Sequence, residues 1–546
     1  MTTRIGSRFA VSQIASIAMA ETRLAARAVP GVLRHLVPIV AWATAAIGLG
    51  AIVGFAAVVL PPLAAFGIVA MVAVLLLWVM PETPLVYPAL IRKTFYVMLV
   101  VNLCVPYYYT VQFGDLPWIS ARRIVAFALI MPFLLAVASS SEVRRRIASR
   151  LLASPLILIC AAGFLVMAIV SIPESPLPGD SLSALVDSVL EWYVPFLAMI
   201  YVVRDEKDIV LVLKVICFCA LINSALGVVE FYFKHRFLVD VFPKSMLESL
   251  VETNPTLQSL VDGTGAWRNG TFRATSTFLV PLSFGEFEII VIPIAIFFAV
   301  HRQGLFERCL GWTVVISGIL GILASGSRGG YVGFLASMAA FITIWTIRKA
   351  LNHRTSLAPA LVGTMGAISS VIVFALVLFW PRAHNMVLGG GAEQASTEAR
   401  WDQWQAALPL IKSNPITGHG FAHGGFDIGS SIDSYVISLL VETGIPGFVF
   451  FAGIVCVPIW YGLRAYLTDL SESGAIAGTL ACSFIAFTLY RLVLSQRENH
   501  FLIYCLLGIV VVLNYGYQMK RAKEPRSLRA RRRTYSHPGE PGLETA

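Results

Sequence analysis

The stretch CLGWTVVISGILGILASGSRGGYVGFLASMAAFITIWTI, residues 309–347, consists of two long apolar segments separated by a short polar turn that contains Arg328. A helix needs about 20 predominantly apolar residues to cross the hydrocarbon core of a bilayer. Lipid offers the backbone no hydrogen-bond partners, so segments of this kind are expected to be helical. The stretch therefore predicts two transmembrane helices joined by a tight turn.

The remainder of the chain has the same character. Its 546 residues are 57% hydrophobic and 13% charged, whereas soluble domains are about 45–50% apolar and about 25% charged. We predict an all-α polytopic membrane protein with roughly 12–14 transmembrane helices and no separable soluble domain. The long span 433–463 contains Gly444 and Pro446, which predict a bend or break. The predicted spans lie near 36–55, 63–80, 90–109, 121–140, 152–172, 183–203, 208–232, 277–300, 309–326, 330–347, 358–380, 433–463, 473–493 and 500–518.

Lysine and arginine residues in short loops predict the orientation of the spans, because such loops stay in the cytoplasm. The basic loops around 144–150 and 302–308 indicate an even number of spans and two cytoplasmic termini. The predicted organisation is a basic cytoplasmic segment 1–35, a transmembrane domain 36–518 and a basic, disordered cytoplasmic tail 519–546. The net charge of +10 is then a topology signal, and we expect no nucleic-acid partner. The eight cysteines lie in or beside apolar spans, which predicts neither a disulfide framework nor a metal site.

A long loop, about 381–432, is predicted on the non-cytoplasmic side. It contains STEARWDQWQAALPLIKSNP, residues 396–415, in which Trp401 and Trp404 belong to an apolar pattern at helical spacing. This pattern predicts an amphipathic helix that lies on the membrane surface. Pro409 is expected to kink or end that helix.

Six arginines are predicted on the non-cytoplasmic side, where basic residues are disfavoured. Any single one is explained by a side chain that reaches the lipid headgroups. A binding role is favoured for Arg328 and Arg400, because a guanidinium donates two parallel hydrogen bonds to a phosphate and stays charged. Gly329 and Gly330 are expected to let backbone N–H groups approach an anion at the start of the next helix. The six are Arg268, Arg273, Arg328, Arg382, Arg400 and Arg497.

Four motifs follow one another between about residues 265 and 465. They are WRNGTFRATSTFLVPLSFGEF (267–287), ASGSRGGYVGF (324–334), STEARWDQWQAALPLIKSNPITGHGF (396–421) and IDSYVISLLVETGIPGFVFF (432–451). In this order and spacing they resemble the O-antigen ligase and polymerase superfamily. These are polytopic bacterial inner-membrane enzymes that transfer glycans from a polyprenyl-diphosphate carrier. The resemblance implies that the loop 381–432 is periplasmic.

The resemblance also implies roles for individual residues. Arg328 and Arg400 match the arginines that are thought to bind the carrier diphosphate. The family's ligases have a His-Asn pair where this chain has Asp433-Ser434, so Asp433 is the expected base, although an N-cap role fits it equally well. His419 and His423 are further catalytic candidates from the preceding loop. The other candidate substrate-binding residues are Arg268, Arg273, Glu286, Gly329 and Gly330.

The resulting functional prediction is a glycosyltransferase that uses a polyprenyl-diphosphate-linked glycan donor. The Asp-Ser-Tyr pattern favours a polymerase that joins lipid-linked repeat units in exopolysaccharide or O-antigen biosynthesis. Arginines can stabilise the leaving diphosphate, so we expect no metal or other cofactor, and a single displacement is expected to invert the anomeric centre. The alternatives are a ligase that transfers the glycan to lipid A core or protein, a lipid-linked oligosaccharide transporter, and an assembly subunit without catalysis. The expected partners are undecaprenyl-diphosphate-linked saccharide, membrane lipids and a chain-length regulator, flippase or export protein.

Two further polar groups carry weaker predictions. Asp187 and Glu191 lie one helical turn apart within a span, where they either pair with an arginine or border a cavity. The second group flanks the last outward turn and is interpreted as a local ion-pair cluster. Its members are Arg491, Arg497, Glu498 and His500.

Overall fold

The computed structural model describes residues 87–111, 119–241, 255–268, 270–352, 394–422 and 432–523, with scattered positions between 361 and 379. Within these residues, ten helices are long and apolar enough to cross a membrane. The prediction of an all-α polytopic membrane protein is therefore confirmed. The predicted spans 36–55 and 63–80, most of 358–380, the segment 1–35, Arg382 and His423 lie outside the described residues.

The helices follow the predicted spans closely. The small amount of β structure consists of two short antiparallel pairs, β1–β2 and β3–β4. The second pair forms a hairpin that precedes α10 and carries Arg268. The elements are α1 Pro88–Cys104, β1 Thr110–Val111, β2 Ile119–Ser120, α2 Ala121–Ser139, α3 Ser141–Leu152, α4 Pro155–Ser171, α5 Pro178–Ser188, α6 Val194–Val202, α7 Glu206–Phe233, α8 Phe237–Val241, α9 Pro255–Val261, β3 Trp267–Arg268, β4 Thr271–Phe272, α10 Pro281–His301, α11 Leu305–Ser325, α12 Arg328–Asn352, α13 Gln394–Ser413, α14 Tyr435–Thr468, α15 Glu472–Tyr490 and α16 His500–Lys523.

Helix α10 lies at the centre of the described bundle, since 89% of the residues in its apolar membrane-spanning segment are buried. It packs against α7, α11, α12 and α15. The close approach of α11 depends on Gly311, where a Cβ atom would lie 2.4 Å from the backbone nitrogen of Ala299. In α12, only 17% of the residues in the corresponding segment are buried. This helix therefore lies at the edge of the described bundle, where its apolar face is suited to lipid.

The basic segment 144–150, predicted as a loop, belongs to helix α3. With 12 residues this helix is too short to cross a membrane, and Ser140 accepts a hydrogen bond from the Val143 N–H at its start. Arg144 donates to the carbonyl of Ala138 (2.7 Å), at the end of α2. Arg150 donates to the carbonyls of Ile200 and Val203, at the end of α6. The basic residues thus satisfy carbonyl groups that the helix ends leave open.

The predicted break in the span 433–463 is confirmed. Helix α14 is interrupted at Gly444, which has φ 68° and ψ −176°. The segment 415–420 bonds to the backbone on both sides of this break. The N–H groups of His419 and Gly420 donate to the carbonyls of Val441 (2.8 Å) and Glu442 (3.1 Å), and Ile445 N–H donates to the carbonyl of Pro415 (2.8 Å).

The predicted amphipathic helix is α13, and it continues through Pro409 to Ser413, so of the two expected effects of Pro409, a kink or an end, the end is contradicted. Its apolar face is not simply a membrane surface. Ala407 and Ile411 are buried against the first turns of α14, while Trp401 remains 61% exposed. The helix is therefore attached to the bundle along one side.

Candidate functional site

A cavity of about 390 Å³ lies at the end of the bundle where α10 and α12 begin and where α11 and α15 end. Four arginines from three separate segments line it. Arg268 and Arg273 come from the β3–β4 hairpin and the residue after it, Arg328 begins α12, and Arg400 lies on α13. The remaining lining residues are Leu282, Gly326, Ser327, Gly329, Val332, Gly333, Leu489, Leu492 and Val493.

Arg273 is held in place at the end of α11. Its Nε atom donates to the carbonyl of Ser325 (3.0 Å), and its backbone N–H donates to the carbonyl of Ala266 (2.7 Å). Gly326 ends α11 with φ 56°, and a Cβ atom there would lie 3.1 Å from Cγ of Arg273. A glycine at this position therefore both permits the left-handed turn and leaves room for the arginine.

The segment after Arg273 is tied to helix α7 by Glu230, which is fully buried. Oε2 of Glu230 accepts hydrogen bonds from the N–H groups of Thr275 (3.0 Å) and Ser276 (2.8 Å). Ser276 has φ 53°, a conformation that non-glycine residues seldom adopt without support. The Ser276 hydroxyl also donates to the carbonyl of Asn223 (2.9 Å) on α7. Helix α7 thereby fixes the backbone that follows Arg273.

The first turn of α12 contributes Arg328 and Gly329 to the cavity wall. Helix starts carry N–H groups without intrahelical partners and the positive end of the helix dipole, so both favour an anion. The expected role of Gly330 is wrong, because its N–H donates to Ser327 Oγ (3.2 Å) and the residue is absent from the cavity lining. Gly329 also has a packing role, since a Cβ atom there would lie 2.9 Å from Cγ2 of Val493.

Arg400 brings an unsatisfied donor to the cavity wall. Its Nε atom is buried and has no hydrogen-bond partner among the residues that the structure describes. A buried donor without a partner costs about 1–3 kcal/mol, and more when it is charged. No aspartate or glutamate is among the described residues that line the cavity. The electrostatic environment therefore favours an anionic ligand.

Asp433 does not line this cavity. Its backbone N–H donates to Oε1 of Gln403 on α13 (3.1 Å). The expectation that Asp433 caps the following helix is wrong, because Ser434 occupies the N-cap position of α14 and makes no capping bond with its side chain.

Two other candidates within the described residues, His419 and Glu286, are absent from the cavity lining. Nε2 of His419 lies 2.9 Å from the carbonyl of Leu410 and 3.1 Å from Ser413 Oγ, at the end of α13. The imidazole therefore stabilises a helix end. Glu286 was expected to line a sugar cavity, but it is fully buried, forms an ion pair with Arg491 and accepts a hydrogen bond from Asn499 (2.8 Å). A polar residue near the end of a span does not reveal from sequence which neighbour it faces.

The arginines of the predicted ion-pair cluster at the last turn pair with residues outside that cluster. Arg497 pairs with Glu442 on α14 and Arg491 with Glu286 on α10, so each arginine contacts another helix. Glu498 accepts a hydrogen bond from Leu279 N–H (2.8 Å), and burial raises the pKa of its carboxyl group.

Asp187 and Glu191 are predicted to pair with an arginine or to border a cavity. Nη2 of Arg123 on α2 donates to both carboxylate oxygens of Asp187 (3.0 and 2.9 Å), so the pairing with an arginine is confirmed for Asp187. These interactions connect α2 with α5, α10 with the end of α15, and α14 with the segment between α15 and α16. They show that many of the polar groups identified by sequence stabilise the bundle.

Comparison with known proteins bears directly on this region. Residues 313–452 match the family described as O-antigen ligase. This match confirms the resemblance to the O-antigen ligase and polymerase superfamily, and it contains both Arg328 and Arg400. Arg268, Arg273 and the end of α15 line the same cavity from outside the matched segment.

The chain is also similar to an uncharacterized protein of Haemophilus influenzae. The two are 24% identical over 218 residues, which cover 36% of this chain and 53% of the relative. The chain thus spans about half the length of the curated relative that it matches.

Proposed function

We infer that this chain, whose residues 313–452 match the family described as O-antigen ligase, is a glycan polymerase. The donor is an oligosaccharide repeat unit on undecaprenyl diphosphate, and the acceptor is a second lipid-linked unit. The reaction takes place at the periplasmic face of the bacterial inner membrane, in exopolysaccharide or O-antigen biosynthesis.

The observation that carries this proposal is the convergence of Arg268, Arg273, Arg328 and Arg400 on one cavity. A diphosphate is a compact, multiply charged anion that offers several oxygens to guanidinium groups. Arginine binds such oxygens in parallel pairs and keeps its charge at any working pH. The unsatisfied Nε of Arg400 is a donor that an added anion would satisfy.

The apolar side of the cavity supports a lipid-linked ligand. Leu282, Val332, Leu489, Leu492 and Val493 form the wall that complements the arginines. Leu492 is 54% exposed and Val332 is 38% exposed, so this wall continues onto the apolar surface of the bundle. An amphiphile with a diphosphate head and an isoprenoid chain satisfies both walls at once.

In the proposed reaction, an acceptor hydroxyl attacks the anomeric carbon, the carbon–oxygen bond to the diphosphate breaks, and the anomeric configuration inverts. Negative charge develops on the leaving diphosphate, where the arginines stabilise it without a metal ion. Asp433 remains the proposed base. Gln403, which contacts its backbone, lies one turn from Arg400 on α13, so a single helix links the two groups.

The orientation follows from charge. The cavity lies at the end of the bundle opposite the basic residue Arg302, which belongs to the predicted cytoplasmic loop 302–308. By the positive-inside tendency, the cavity then faces the periplasm and both termini face the cytoplasm.

The test is glycan profiling of cells that express Arg328→Ala or Arg400→Ala, with protein levels measured in parallel. We expect single repeat units to accumulate on the carrier. Arg464→Ala is the matched control, because Arg464 is exposed near the opposite end of α14. Normal polymer in both cavity variants would contradict the proposal.

A ligase is the second candidate, because the matched family model is described as O-antigen ligase. The same experiment separates the two reactions. A defective ligase would leave long carrier-linked chains that never reach lipid A core. A defective transporter would instead leave the lipid-linked oligosaccharide on the cytoplasmic face of the membrane.

A further inference from the structure

Three hydroxyl groups meet beside the arginine cavity, at the junction of α10, α11, α12 and α15. Ser327 Oγ and Tyr490 Oη are in hydrogen-bonding contact (2.5 Å), and Ser325 Oγ accepts a hydrogen bond from Ser327 N–H (3.3 Å). A Cβ atom at Gly285 would lie 3.0 Å from Ser325 Oγ and 3.1 Å from Tyr490 Oη. The absence of a side chain on α10 therefore allows these groups to come together.

Which hydroxyl donates in the bond between Ser327 and Tyr490 follows from where each hydroxyl hydrogen can find an acceptor. Tyr490 is 1% exposed, and within the described part of the chain its hydroxyl contacts only Ser327. If Ser327 were the donor, the phenolic hydrogen would be buried without an acceptor. Ser327 lines the cavity and Tyr490 does not, so only the hydroxyl hydrogen of Ser327 can find an acceptor there, and Tyr490 therefore donates to Ser327.

The hydroxyl hydrogen of Ser327 is then left without an acceptor in the part of the chain that the structure describes. A serine hydroxyl accepts up to two hydrogen bonds and donates one. Ser327 Oγ accepts from Gly330 N–H (3.2 Å) and from Tyr490, which occupies both acceptor positions. Its own hydrogen has no acceptor among the described residues, and the residue lines the cavity immediately before Arg328.

We propose that the Ser327 hydroxyl donates a hydrogen bond to the anion in the arginine cavity, and that Tyr490 orients it for this purpose. The inference rests on the proposed function, in which the anion is the carrier diphosphate. Ser327 is then a neutral donor that contacts the ligand, whereas Tyr490 is a positioning residue that acts through Ser327.

The test uses the full-length protein in lipid nanodiscs and inorganic pyrophosphate as the probe, with affinity measured by calorimetry. Tyr490→Phe leaves the Ser327 side chain and its capping bond in place, and Ser327→Ala removes the donor itself. We expect each variant to bind pyrophosphate about tenfold more weakly, which is the effect of one hydrogen bond to a charged group. The double variant should bind no more weakly than Ser327→Ala, because both changes affect one contact.

Tyr504→Phe is the matched control. Tyr504 is also a fully buried tyrosine in the bundle, but it lies on α16 and does not line the cavity. The Tyr504→Phe variant should bind pyrophosphate with the same affinity as the unsubstituted protein. Thermal unfolding of all variants shows whether a loss of affinity reflects a loss of folding, and only variants with an unchanged unfolding midpoint count as support.

The outcomes distinguish the two proposals. If the unsubstituted protein binds pyrophosphate and Arg328→Ala does not, but Tyr490→Phe binds normally, the role of the hydroxyl pair is overturned while the anion site stands. Additive losses in the double variant would also overturn it. If the unsubstituted protein and Arg328→Ala fail alike to bind pyrophosphate, both the site and this inference are wrong.

Discussion

Replacement of Glu230 by leucine tests how the cavity is held together. Among the described residues, both hydrogen bonds to this carboxyl group reach one oxygen, Oε2, from the N–H groups of Thr275 and Ser276. Leucine leaves two buried backbone donors without an acceptor, at about 1–3 kcal/mol each, so Glu230→Leu should destabilise the protein by roughly 2–6 kcal/mol. Glutamine offers one carbonyl oxygen at the same place, so Glu230→Gln should be much closer to the unsubstituted protein.

The effect on binding is the more specific part of this prediction. Once the backbone at Thr275 and Ser276 is released, Arg273 loses its fixed position at the cavity. We expect Glu230→Leu to weaken pyrophosphate binding about tenfold, and Glu230→Gln to restore it. The assays are thermal unfolding and calorimetric titration of the nanodisc-embedded protein with pyrophosphate.

Glu288→Leu is a suitable control. Glu288 is also fully buried, but it accepts a hydrogen bond from Ser224 (2.8 Å) and does not contact the segment after Arg273. Its replacement should leave pyrophosphate binding unchanged. The reasoning fails if Glu230→Leu binds pyrophosphate normally, or if Glu230→Gln is as defective as Glu230→Leu.

Three further predictions follow from other parts of the structure. Arg400→Lys keeps the charge but loses the planar pair of donors, so titration should show pyrophosphate binding weakened about tenfold, and unchanged affinity would argue against a guanidinium contact. Gly444→Ala should lower the unfolding midpoint, because the new Cβ atom would lie 2.5 Å from the carbonyl oxygen of Ile416, and an unchanged midpoint would contradict the geometry of the break. Burial raises the pKa of Glu498 from its ordinary value of 4.5, so the stability that its protonation contributes is present below that value and is lost as pH rises through the folded-state pKa. Glu498→Gln should therefore stabilise the protein relative to the unsubstituted chain increasingly as pH rises through this range, and a pH-independent difference in unfolding midpoint would refute this.

The spans were predictable because apolar length is a local property of the sequence. Helix α11, for example, was expected at 309–326 and is Leu305–Ser325, and the break at Gly444 was visible from glycine and proline alone. Helix α3 was missed because its arginines resemble a loop until their carbonyl partners on α2 and α6 are known. Pro409 failed as a stop signal because packing of Ile411 against α14 favours continuation of the helix.

The site was predictable only in part. The resemblance identified Arg328 and Arg400, and the structure brings both to one cavity. The contacts that orient the cavity join residues far apart in the chain, such as Ser327 and Tyr490, which are separated by 163 positions. No local pattern specifies such pairs, and for the same reason the burial of Glu286 against Arg491 could not be foreseen.

The hydrogen bonds across the break in α14 have a mechanical consequence for Arg400. Segment 415–420 follows α13 directly, and three main-chain bonds clamp it to the two halves of α14. Movement of the C-terminal end of α13 away from α14 would therefore require these hydrogen bonds to break. The C-terminal end of the helix that carries Arg400 is fixed in this way, so we expect a ligand to enter through the apolar side of the cavity between α12 and α15.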